Sequence, residues 1–232
     1  MRRSALLLLL LLSTVAVPAS AQTDVFLLGF TGFDYQDPNP DPNTYLAVGE
    51  GYKALGFVTS FGPVGSPLSG TVDMTANQYT FNYYDLTVQA SVFNGTSLEV
   101  RFANPGRARF YEDSRSLGTS GDYGQYPPNA TAPATFTDGT MILGGRIDDF
   151  VLSYDYGMNL GSFVGQLRFD EGSMLSLIPA GQRGGWTIAG LVGPPYPTVP
   201  KGYDHQISGE CHIPGPTPAQ HRTWGAIKAL YR

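Results

Sequence analysis

From Tyr84 onward the apolar residues fall on even positions, Leu86, Val88, Ala90 and Val92, with Asp85, Thr87, Gln89 and Ser91 between them. After Asn94 and Gly95 the pattern resumes, with Leu98, Val100 and Phe102 alternating against Ser97, Glu99 and Arg101. Period-two alternation predicts strands with one buried and one wetted face. A two-residue turn at Asn94 and Gly95 would set Val92 against Ser97 and Ala90 against Glu99, apolar against polar on a shared face. A three-residue loop of Phe93, Asn94 and Gly95 removes that mismatch. It sets Val92 against Thr96, Ala90 against Leu98 and Val88 against Val100, with Gly95 left-handed in a bulge. Upstream, Tyr79, Phe81 and Tyr83 lie on odd positions, so the phase changes near Tyr83 and Tyr84 and predicts a bulge or corner there.

Similar patterns predict strands over 25–33, 44–61 (broken by Gly49, Gly51 and Gly56), 107–111, 141–143, 150–156, 163–169, 172–178, 186–191 and 203–213. Gly144 and Gly145 read as a turn or bulge, and 112–137 as a long irregular segment. With 29 glycines, 18 prolines and 14% charged residues, the composition suits short strands and tight turns. The expected fold is all-β: a single β-sandwich over 22–213, with a jelly roll as its candidate topology. A proline-rich linker over 214–222 leads to a short helix over 223–232. Thr223 is placed to cap that helix, and Trp224, Ile227, Leu230 and Tyr231 share one face.

The first residues combine Arg2 and Arg3, an apolar run over 5–12 and the small-residue site Ala19-Ser20-Ala21. This reads as a secretory signal peptide over 1–21, leaving Gln22 as the new N-terminus. No second apolar segment is long enough to span a membrane. The expected location is secreted or in the cell envelope, whether periplasm, outer surface or extracellular space. The two arginines leave with the signal, so the formal net charge of −5 becomes more negative by two. An acidic chain with few lysines argues against nucleic acid as a partner. The closing segment, Thr223-Trp-Gly-Ala-Ile-Lys-Ala-Leu-Tyr-Arg232, resembles short C-terminal tails on assorted exported proteins of Gram-negative-type bacteria. That resemblance covers the tail and the signal peptide. It implies an envelope protein with a sorting or docking tail, and no activity.

Candidate chemistry is sparse. In the segment 34–43, Asp37, Asn39, Asp41 and Asn43 alternate with prolines at the two-residue spacing of calcium loops. The sixth and twelfth positions, Pro42 and Val48, lack the glycine and glutamate of an EF-hand, so no cofactor is expected, with calcium the alternative. Asp122, Tyr123 and Tyr126, in the irregular segment, are the candidates for contacting a glycan. Asn94 and Asn129 head N-glycosylation acceptor patterns. His205 and Cys211 share a strand face that His212 does not, which disfavours zinc, and Cys211 reads as a buried thiol. There is no Gly-x-Ser-x-Gly elbow, and the adjacent acids Asp148, Asp149 and Asp170, Glu171 point to opposite faces of their strands. The expectation is therefore a non-catalytic β-domain with a structural or surface-interaction role and an envelope or matrix component as partner. Glycan binding is the alternative, and a glycan-active hydrolase a more distant one.

Overall fold

The structure, a computed structural model, describes residues 24–37, 46–123, 133–195, 199–200 and 202–213. Residues 1–21, expected as a signal peptide, 214–222, expected as a linker, and 223–232, expected as a helical tail, lie outside the described residues, as does Asn129. The strands are β1 (Val25–Asp37), β2 (Gly51–Phe61), β3 (Asn77–Asn94), β4 (Ser97–Phe102), β5 (Gly106–Ser114), β6 (Thr140–Asp155), β7 (Leu160–Glu171), β8 (Trp186–Pro195) and β9 (His205–Ile213).

Every pairing among these strands is antiparallel, and neighbours in sequence are neighbours in space. Strands β4 and β5 lie end to end between β3 and β6, so together they act as one stave. Pairing of β9 with β1 then closes an eight-strand antiparallel barrel. The expected β-sandwich is corrected by this closure. Both folds bury one face of each alternating strand, but a barrel leaves no edge strand exposed. The predicted strand over 172–178 is also absent; a 3-10 turn, Leu175–Leu177, lies there.

Two bulges set the inward phase of β3. Asp85 has φ 56, and a register shift lies opposite it between Tyr52 and Ala54, so Tyr79, Phe81 and Tyr83 face inward before it and Leu86 and Val88 after it. A second shift between Val88 and Ala90 leaves Gln89 unpaired, and the hairpin departs from the expected register. Val92 faces Glu99 and is 62% exposed, Ala90 faces Arg101, and Val88 faces Phe102. The apolar mismatch is thus relieved in mid-strand, and the loop between the paired Asn94 and Ser97 is only Gly95 and Thr96. Gly95 does adopt φ +69. Gly95→Ala should lower stability by about 1 kcal/mol through left-handed strain, read as a shift in the urea midpoint with unchanged slope.

The interior is one aromatic-rich core. The Phe30 ring centroid lies 4.8 Å from that of Phe81, 5.5 Å from Tyr83 and 6.2 Å from Phe163. Gly190 and Gly209 face each other across β8 and β9, where a side chain would strike the rings of Phe163 and Phe30. Strand glycines therefore make room for rings within an eight-strand bore. Trp186 closes one end, its indole N–H donating to the Gln182 carbonyl at 2.6 Å. A smaller apolar cluster covers the outer face of β1 and β2, where Phe33, Tyr35, Leu55 and Phe57 meet Tyr123, Phe136, Val199 and Tyr203. Elsewhere the outer wall mixes charged and apolar side chains: Glu99, Arg101, Arg146, Arg168 and Asp170 are exposed, and so are Val92, Val164 and Leu191. No helix among the described residues is long and apolar enough to cross a membrane.

Candidate functional site

Alternation along β1 turns Phe30, Gly32 and Asp34 inward, and along β9 it turns His205, Ile207 and Cys211 inward. Asp34 and His205 are directly paired at the seam that closes the barrel. Asp34 is 1% exposed. Its Oδ1 accepts the His205 backbone N–H at 2.7 Å and lies 3.2 Å from His205 Nδ1. Its Oδ2 accepts the Tyr52 hydroxyl at 3.0 Å. Asp204 reinforces the seam in both directions. Its backbone N–H donates to the Asp34 carbonyl at 2.8 Å, and its Oδ2 accepts the Gln36 N–H at 3.0 Å.

Across the mouth, the Tyr154 ring lies 4.6 Å from the His205 ring, and its buried hydroxyl has no hydrogen-bond partner among the described residues. With Leu46, Leu98, Leu152 and Tyr156 these groups line a pocket of about 30 Å³, room for one or two waters.

Electrostatics follow from setting the half-buried Asp204 carboxylate beside the buried one of Asp34. Burial, then the charge of Asp34, pushes the Asp204 carboxyl up to about 7 against the pull of His205 and the Gln36 N–H. Burial works against the His205 cation, but the charge and hydrogen bond of Asp34, with the charge of Asp204, outweigh it and raise its pKa. Burial, then Asp34, raises the Tyr52 hydroxyl well above its ordinary range and the Tyr154 hydroxyl above its own.

A carboxylate on Nδ1 of a histidine is the orienting half of a general-base arrangement. Among the described residues that line the pocket there is no serine, threonine or cysteine. Cys211 lies six residues along β9, about 20 Å at strand rise, and is fully buried. Its environment pushes the thiol well above its ordinary range, through burial first and Glu210 second. Cys211 should resist a soluble thiol reagent in the native protein and react at full stoichiometry in denaturant; rapid native labelling would contradict its placement. Among the described residues no group of three or more His, Cys, Asp or Glu is arranged to hold a metal.

Of the residues singled out for calcium, Asp37 ends β1 and pairs with Lys53 of β2, whereas Asn39, Asp41 and Asn43 lie outside the described residues. Of the glycan candidates, Asp122 is exposed, and Tyr126 lies outside the described residues. Tyr123 packs in the outer cluster, its ring centroid 4.6 Å from that of Phe33 and 4.8 Å from that of Phe136. Of those described, Asp37, Asp122 and Tyr123 do not line the pocket at the seam. Asp34 and Asp204 were not among the expected site residues. One sequence signal does point to Asp34, a carboxylate in phase with Phe30 and Gly32 on the apolar side of a strand. No family model, no curated protein and no solved structure matches the chain.

Proposed function

We propose that the chain is an exported protein, secreted or held in the cell envelope, whose barrel is a non-catalytic module presenting its outer wall to other molecules. The observation that carries this reading is the filled bore. Small-molecule sites usually occupy roughly 300–1,000 Å³, and the mouth of this barrel leaves about 30 Å³. The acid–histidine pair there spends its hydrogen-bonding capacity on joining the first strand to the last. Residues 223–232 act in this reading as a sorting or docking tail. Expression in a Gram-negative host should yield protein outside the cytoplasm that begins at Gln22. Terminal sequencing that finds the leucine run retained on all of the protein would refute export.

A further inference from the structure

The outer wall carries a row of like charges in register. Tyr84 of β3 faces Arg107 of β5, Arg107 faces Arg146 of β6, and Arg146 faces Arg168 of β7. Directly opposed like charges destabilise a sheet, and this chain has only 14 lysines and arginines to place. Arg107 is neutralised in part, 3.2 Å from Asp170 and 3.8 Å from Glu171. Arg109, further along β5, pairs with Glu171 at 3.0 Å and lies 5.3 Å from the Tyr84 ring centroid. Arg146 and Arg168 are exposed, and neither makes an ion pair or hydrogen bond with a described residue. The remaining acids nearby are Asp149, whose carboxylate accepts the Asn104 amide at 3.2 Å, and Asp148, opposite Gln166. Arg146 and Arg168 are thus register partners on neighbouring strands, about 4.8 Å apart at the backbone, with no carboxylate in an ion pair with either among the described residues.

We propose that Arg146 and Arg168, extended by Arg107, bind a linear polysaccharide bearing carboxylates or sulfates. A guanidinium offers a planar fork of donors that matches a carboxylate or sulfate. An extended acidic sugar chain laid across the strands meets the row one anionic group at a time, and its charge relieves the repulsion within the row. A nucleic acid fits less well, because a duplex is held through many phosphate contacts along its length and the strip offers only three arginines. The choice of a polysaccharide rests on the reading of the chain as exported.

The test is titration calorimetry at low ionic strength on chain beginning at Gln22, with polygalacturonate, dextran sulfate, neutral dextran and duplex DNA. Both acidic polysaccharides should bind the wild type, and neutral dextran should not. Arg146→Gln and Arg168→Gln should each weaken binding roughly tenfold, and the double variant should abolish it. Arg101→Gln, on the same wall but paired with Glu99 at 2.9 Å, should bind like the wild type. Without polymer the double variant should melt at or above the wild-type temperature, since a repulsion has gone, and this also shows that it folds. Absence of binding to the wild type, or undiminished binding to a folded double variant, overturns the site. Tighter binding of DNA than of either polysaccharide overturns the partner. A retained signal peptide with polysaccharide binding intact refutes export and leaves the site standing.

Discussion

Asp34→Ala should destabilise the barrel by about 3 kcal/mol, more than a surface substitution and enough to lower the melting temperature by roughly 6–12 °C. Three donors converge on this one carboxylate, the His205 N–H, the His205 ring and the Tyr52 hydroxyl. Alanine leaves all three without an acceptor in a site that is 1% exposed at its centre, where solvent cannot replace the lost partner. The loss falls on the seam between the first and last strands, so it acts on closure as well as on local packing. One term opposes it, because removing Asp34 also removes the repulsion felt by Asp204. Asp34→Asn, which keeps an acceptor, should lose less than Asp34→Ala. Urea unfolding followed by the fluorescence of buried Trp186 reads both. A loss below about 1 kcal/mol for alanine would show that the seam closes without this network.

Stability should fall by about 2 kcal/mol between pH 5 and pH 8, and Asp204→Asn should remove most of that fall. The folded-state carboxyl of Asp204 lies at about 7 against an ordinary value of 3.8. The native state therefore binds more protons than the unfolded chain throughout that interval, so stability decreases as pH rises from about 4 and levels off above 7. His205 acts in the same direction. Its raised pKa gives stability that is complete below its ordinary value of 6.5 and is lost as pH rises through the folded value. Asp73, whose pKa is lowered first by the Thr75 side chain and then by backbone N–H groups, acts in the opposite sense but at lower pH, near and below its ordinary 3.8. Asparagine at 204 mimics the protonated acid and still accepts from Gln36. At pH 8 that variant should be more stable than the wild type, and the difference should shrink as pH falls, closing only near pH 4, where the unfolded acid takes up its proton as well. A wild-type profile flat from pH 5 to 8, or a variant weaker at pH 8, would contradict the repulsion between Asp204 and the buried Asp34.

Much of the local structure was legible because alternation is local. The inward set Phe163, Gly165, Leu167 and Phe169, the break after Tyr83, the left-handed Gly95 and the buried Cys211 each follow from a few adjacent residues. The register of the β3 hairpin did not follow. The pattern could report a mismatch at Asn94 and Gly95, but a bulge at Gln89 relieves it as well as a longer loop does. Only the partner strand decides between them. The candidate site was less legible still. Asp34 and His205 are separated by 171 positions, and each alone reads as a polar residue near the end of a strand.

What the sequence determined by itself was the class of structure: alternating strands with a buried inner face, apolar mass enough for a core, and the acidic balance of the chain, while the strands run longer than the pattern predicted, up to 18 residues in β3. Whether those strands form two packed sheets or one closed ring depends on what pairs with the first strand and what pairs with the last. That choice belongs to the whole chain, because hydrogen bonding between β1 and β9 costs the entropy of closing a loop of nearly its full length. The burial that offsets this cost, in a bore just wide enough for stacked rings over glycines, exists only once the ring is complete. The charge row on the outer wall has the same origin. Arg107, Arg146 and Arg168 are scattered along the sequence and become neighbours only because β5, β6 and β7 align in one register.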